Sequence, residues 1–134
     1  MYRIERNKTD VIQLGLGNDV LDIRLGGLKQ LKRYIEAQTR LLDIQKKLDN
    51  MSKAGVETPP ADLVDFLGQT ILYLFEVLFG EENTQKMADF FEGNYDEMLE
   101  AVLPFINSEV VPALKKMAKR DSSQLVKEVA GVSK

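Results

Sequence analysis

The chain has 134 residues, enough for one domain with its own core and too few for two. It contains neither Cys nor His, which excludes disulfides, thiolate chemistry, the imidazole proton shuttle and the usual zinc and transition-metal ligand sets, so any metal site would be carboxylate-only. Eighteen basic residues against 21 acidic ones give a formal charge of −3, so no global field draws the chain to phosphate backbones. The N-terminal MYRIERNKTD is charged and lacks the apolar run of a signal peptide, and a cytoplasmic setting is expected.

In chain order, Tyr2 to Arg6 is a candidate strand. Ile12, Leu14 and Leu16 then alternate with more polar positions, and so do Leu21, Ile23 and Leu25. Between the two runs lies Gly17-Asn18-Asp19, and Gly and Asn tolerate the positive φ that tight reversals need, so residues 11–25 predict a β-hairpin with one apolar face. Two strands alone are marginal in water, so that face is expected to lie on helices. After Gly26 and Gly27 the period lengthens. Leu28, Leu31 and Ile35 start one stripe; Tyr34, Ala37, Leu41, Ile44, Leu48 and Met51 form another, predicting a helix over 28–51.

SKAGVET is a loop, and Thr58-Pro59-Pro60 reads as a helix start, with Thr as the cap. The helix predicted over 60–79 carries Val64, Leu67, Ile71, Leu74 and Leu78 on one stripe and Phe66, Tyr73 and Val77 on a neighbouring one. Its length suits a bilayer, but Asp62, Asp65, Gln69 and Glu76 interrupt it, so no membrane span is expected. Gly80 should end that helix in a left-handed conformation, with a short helix over 82–91 to follow and Gly93-Asn94 to stop it. Asn94 is then the expected cap of a last helix over 95–118, carrying Met98, Leu99, Val102, Ile106, Val110, Leu114 and Met117. Pro104 and Pro112 should kink or break it. Residues 121–134 are polar and weakly periodic, and a flexible tail is expected there. The fold class is α+β and mainly α: a hairpin followed by three to four helices in a small bundle, forming one domain over residues 1–120.

Chemistry finds little to work with. Gly15-Leu16-Gly17 lacks both the third glycine and the following helix of a dinucleotide-binding loop, and fits a hairpin turn better. The many Asp and Glu residues occupy solvent-like helical positions and do not match a calcium loop. No His is present to activate a Ser or Thr, and no nucleophile elbow occurs. No catalytic residue, metal or cofactor is expected. Lys29, Lys32, Arg33, Arg40, Lys46 and Lys47 form a charged face on the first helix, a solvated surface or, as the alternative, a nucleic-acid stripe of a regulatory module. Phe66, Tyr73, Phe75, Phe79, Phe90 and Phe91 crowd the middle of the chain; they read as core or, where they exceed what one helical pair easily covers, as a surface that binds another protein.

The hairpin segment VIQLGLGNDVLDIRL, the long charged helix after it, and the run DFLGQTILYLFEVLFGEENTQKMADFFEGNYDEMLEAVLPFINSEVVPALKKM together resemble the tail assembly chaperones of long-tailed bacteriophages and related prophages. The part LFGEEN through FFEGNYDEMLEAVLPFI looks like the Gram-positive siphophage version, and the resemblance covers about residues 10 to 118. It implies a small, non-catalytic, self-associating protein of the bacterial cytoplasm. Such a protein binds the apolar, helix-rich tape measure protein before the tail tube forms, and often has a longer product made by frameshifting. On that expectation the contact surface comprises Phe66, Tyr73, Val77, Phe79, Phe90 and Phe91.

Overall fold

The computed structural model describes the backbone of Arg3 and of residues 10–129, and the side chains of Arg3 and residues 11–120. The candidate strand at Tyr2 to Arg6 lies outside these apart from Arg3. Strands β1 (Asp10–Leu16) and β2 (Asp19–Leu25) pair antiparallel, with Ile12 opposite Ile23 and Leu14 opposite Leu21. A two-residue turn, Gly17-Asn18, joins them. Only Gly17 takes a positive φ there, 61°, which leaves Asn18 the ordinary backbone. Leu21, Ile23 and Leu25 are buried, and Ile12 and Leu14 pack against the same cluster, so the alternation does set the face that meets the helices.

Helix α1 spans Leu28–Lys53 and α2 spans Ala61–Phe90. They run antiparallel: the Gln30 side chain reaches the carbonyls of Val77 and Leu78, while Arg40 lies over Tyr73. Of the two apolar stripes on α1, only the one through Tyr34, Ala37 and Ile44 is buried; Leu28 and Ile35, together with Leu42, are about half exposed. Helices α2 and α4 both pack on α1; Leu31 of the other stripe still reaches the core, while Leu28 and Ile35 stay exposed. Burial among apolar groups pushes the Tyr34 phenol above its ordinary pKa. At the start of α2 the cap position is Pro60, not Thr58, and no side chain caps the helix. The Pro60 carbonyl accepts from the Val64 N–H at 3.2 Å.

Gly80 splits α2 into two helical halves, 61–79 and 81–90. Its φ of 81° and ψ of 164° lie outside the left-handed helical region expected of it, in an extended region open essentially to glycine. A Cβ there would meet nothing, so the requirement is the backbone's. The break leaves carbonyls without helical partners, and two side-chain amides supply them. Gln30 Nε2 donates to Val77 O (2.9 Å) and Leu78 O (3.2 Å), while its Oε1 accepts from the Gly26 N–H. Asn83 Nδ2 donates to Phe79 O (3.1 Å) and to Asp22 O of β2 (2.8 Å). Each such bond nets about 0.5–1.5 kcal/mol, and together they fix the kink against the hairpin and α1. Thr84 is left out. Thr39 and Thr70 donate to the carbonyl four residues back, but for Thr84 that carbonyl belongs to Gly80 and is turned away, leaving a buried hydroxyl without a partner.

Glu92 and Gly93 take positive φ and end α2, as the Gly93-Asn94 signal requires. Helix α3 (Tyr95–Phe105) begins after Asn94, which holds the cap position without a side-chain cap bond. The chain then passes without interruption through a π-helical turn, Ile106–Val110, into α4 (Val111–Val129). Pro104 and Pro112 bracket that turn, in which the Val111 N–H bonds the Ile106 carbonyl five residues back. The expected disruption is thus absorbed by a wider turn, and the helix is not broken. Met98, Val102, Ile106, Val110, Leu114 and Met117 stay on one buried stripe throughout. Helical backbone runs on to Val129 instead of stopping near 118, because no Gly or Pro interrupts residues 113–129. Where a flexible tail was expected from 121, the chain is helical for nine residues more.

One apolar cluster joins both strands and all four helices. Although α2 is long and apolar enough to span a bilayer, Ile71, Leu74, Phe75 and Leu78 are here enclosed by the hairpin and the neighbouring helices.

Candidate partner-binding surface

The six residues expected at a contact surface do not form one patch. Phe79 belongs to the core: it is 5% exposed and its ring packs on Phe75 (centroids 5.3 Å) and Phe105 (6.5 Å, stacked). It precedes the Gly80 kink beside β2, and with its ring buried it is not available as a contact residue. Phe66, Tyr73 and Val77 lie along the edge of α2 toward α1. Phe66 is 51% exposed and Tyr73 is 37% exposed; Val77 is half-buried. The Arg40 guanidinium lies 5.4 Å from the Tyr73 ring centroid, a cation–π contact that keeps that ring oriented. Phe90 and Phe91 stand edge to face at the far end of α2 (5.1 Å). Phe90 rests on the glycine of the hairpin turn, where an added Cβ at Gly17 would come within 2.9 Å of the ring. Phe90 remains 52% exposed and Phe91 is half-buried.

A second surface was not singled out by sequence. The stripe Val64, Leu67, Ile71, Leu74, Leu78 is sealed from Ile71 onward but opens toward its N-terminal end: Leu67 is half-buried and Val64 is 48% exposed. There it borders a cleft of about 600 Å³, walled on the other side by Gly93, Asn94, Tyr95 and Asp96 at the start of α3. The Tyr95 ring lies against Gly68, where a Cβ would sit 3.1 Å from Cδ2. Glycine in mid-helix costs about 1 kcal/mol, and here it lets α3 approach. That interior Gly68 is the signal that sequence reading passed over.

Charge divides the molecule by helix. From residue 54 to residue 114 there are twelve acidic side chains and one basic, Lys86, whose partner is Glu82 (3.6 Å). Helix α1 carries seven Lys and Arg against three acids. The helices that bound the cleft, α2 and α3, are therefore the acidic pair.

A second cleft, of about 630 Å³, lies at the Gly80 kink between β2, α1 and α2. Its two side-chain amides, Gln30 and Asn83, are already spent on backbone carbonyls. Among the described residues no group of three or more carboxylates converges on a common point. Comparison with protein-family models, curated proteins and solved structures gives no match for this chain.

Proposed function

We propose that this chain is a non-catalytic chaperone of phage tail assembly. It acts in the bacterial host cytoplasm, self-associates, and holds the apolar helical tape measure protein until the tail tube forms. The observation that carries the reading is the exposure of Val64, Phe66 and Tyr73 on the same helix that seals Leu74, Phe75, Leu78 and Phe79 in the core. Exposed apolar side chains spaced along a helix are what a partner amphipathic helix can cover. Half-buried Met51 and the loop beside it add adaptable surface at the same end of the α1–α2 hairpin.

The test is retention of an apolar helical segment of the tape measure protein by the immobilised chain. Replacing Phe66, Tyr73 or Phe90 by Ala should weaken retention by roughly fivefold to a hundredfold each, the range of an aromatic anchor, with helical circular dichroism unchanged. Undiminished retention by all three variants contradicts the proposal.

One observation favours the alternative, a nucleic-acid-binding regulatory module. Among the described residues, Lys29, Lys32, Arg33, Lys46 and Lys47 on α1 make no ion pair. Nucleic-acid affinity of that origin would fall steeply between about 50 and 200 mM salt, whereas apolar capture would not.

A further inference from the structure

We propose that the cleft between the first half of α2 and the start of α3 receives a cationic amphipathic helix, one whose apolar stripe is flanked by Lys or Arg. This rests on the reading of the chain as a holder of helices and adds the charge class of the helix held. The cleft's apolar lining comprises Val64, Leu67 and Leu72 above the buried Ile71, with the Tyr95 ring also lining it. From Val64 to Leu72 the floor runs about 12 Å, a little over two helical turns, so an incoming helix would seat side chains spaced three and four apart.

The rim determines which helix. Asp65 and Asp96, both exposed, border the cleft from its two sides, and among the described residues no basic side chain lines it. The nearest basic residues in sequence are Lys53 and Lys86, beyond either end of the α2 segment. The N-terminus of α3 brings about half a positive charge to the cleft, but Asp96 and Glu97 in its first turn outweigh it. Carboxylates around an apolar floor favour a helix with flanking cations and disfavour one with flanking acids, because like charges at the rim of a closed contact are desolvated without a partner. A small-molecule site is not indicated: Asn94 and Gln69 are exposed, and no buried polar group points into the cleft.

The experiment uses the full chain and two synthetic helical peptides of about eighteen residues, five turns, with the same Leu stripe and either Lys or Glu at the flanking positions. Binding is read by fluorescence anisotropy. A third peptide with the Lys content scrambled out of helical register controls for unspecific attraction. The Lys peptide should bind about tenfold or more tighter than the Glu peptide, and the scrambled one should not bind. In Asp65→Lys/Asp96→Lys the order should invert, with the Glu peptide gaining what the Lys peptide loses. Both positions are exposed, so the variant should fold, which circular dichroism checks. Equal binding of the Lys and Glu peptides, or no inversion, overturns the charge assignment while leaving the holder reading standing. Binding of neither peptide, with no retention of a tape measure segment, overturns both. If Ile35→Glu, on the outer face of α1, abolishes self-association and thereby frees the cleft for peptide, the occupant is a second copy of this chain, and the assignment to a foreign helix is wrong.

Discussion

Within α2, residues 61–70 carry five apolar residues in ten and residues 71–79 eight in nine, and even the apolar side chains of the two segments have opposite surroundings. In the second segment Ile71, Leu74, Phe75, Leu78 and Phe79 are all 5% exposed or less, because the hairpin, α1 and the α3–α4 stripe converge on it. In the first, Val64 and Phe66 keep about half their surface, and only Thr70 is buried. The contrast teaches that apolar content alone does not assign a side chain to the core; what decides is how many elements reach that part of the helix. Beside residues 71–79 lies the kink at Gly80, which brings β2 and α1 into hydrogen-bonding range. The turns at the start of α2 lie beyond that reach.

Alanine at the two ends of this contrast should separate them most. Phe75→Ala empties a fully enclosed site, and denaturant unfolding should show a loss of about 3–5 kcal/mol. Phe66→Ala should stay within about 0.5 kcal/mol of the parent in the same assay. Similar losses at both positions would mean that residues 61–70 are covered after all.

The kink is tested next. Gly80→Ala meets no steric neighbour, so its cost is the backbone conformation alone, about 1–3 kcal/mol in thermal or denaturant unfolding. Thr84→Val keeps the shape and removes the orphaned hydroxyl that the kink creates, and should raise stability by about 1 kcal/mol. A loss in Thr84→Val would show that the hydroxyl has found an acceptor.

A smaller effect separates the two faces of α1. The raised pKa of buried Tyr34 means that the folded state holds the phenolic proton more tightly than the unfolded chain. That contribution is complete below the ordinary tyrosine pKa of about 10 and is lost as pH rises through the folded value. Unfolding followed above pH 10 should therefore show an alkaline decline that Tyr34→Phe diminishes.

Much of this was legible in the sequence. The hairpin, its apolar face and its glycine turn followed from period-two alternation, and the stripe from Met98 to Met117 was read correctly across two prolines. The breaks at Gly80 and Gly93-Asn94 fell where the residues placed them. What escaped was tertiary. Phe79 lies about 140° around the helix from Phe66, but the two rings are alike in character, and only the convergence of β2 and α3 shows which face of α2 is core. The π-helical turn is set by the ladder's accommodation of Pro104 and Pro112, which no local propensity encodes. Gly68 had a local signal, a glycine inside a strong helical stripe, but its meaning depends on Tyr95, twenty-seven residues away.

The first turns of α2 remain uncovered by the fold, which leaves them open to the proposed partner helix. Hydrogen exchange read peptide by peptide, with and without the tape measure segment or the Lys-flanked peptide, tests this most directly. New protection should concentrate in residues 61–73 and 90–97, with β2 and the Gly80 region unchanged. Protection confined to the outer face of α1, or spread evenly over the chain with none at 61–73, would contradict it.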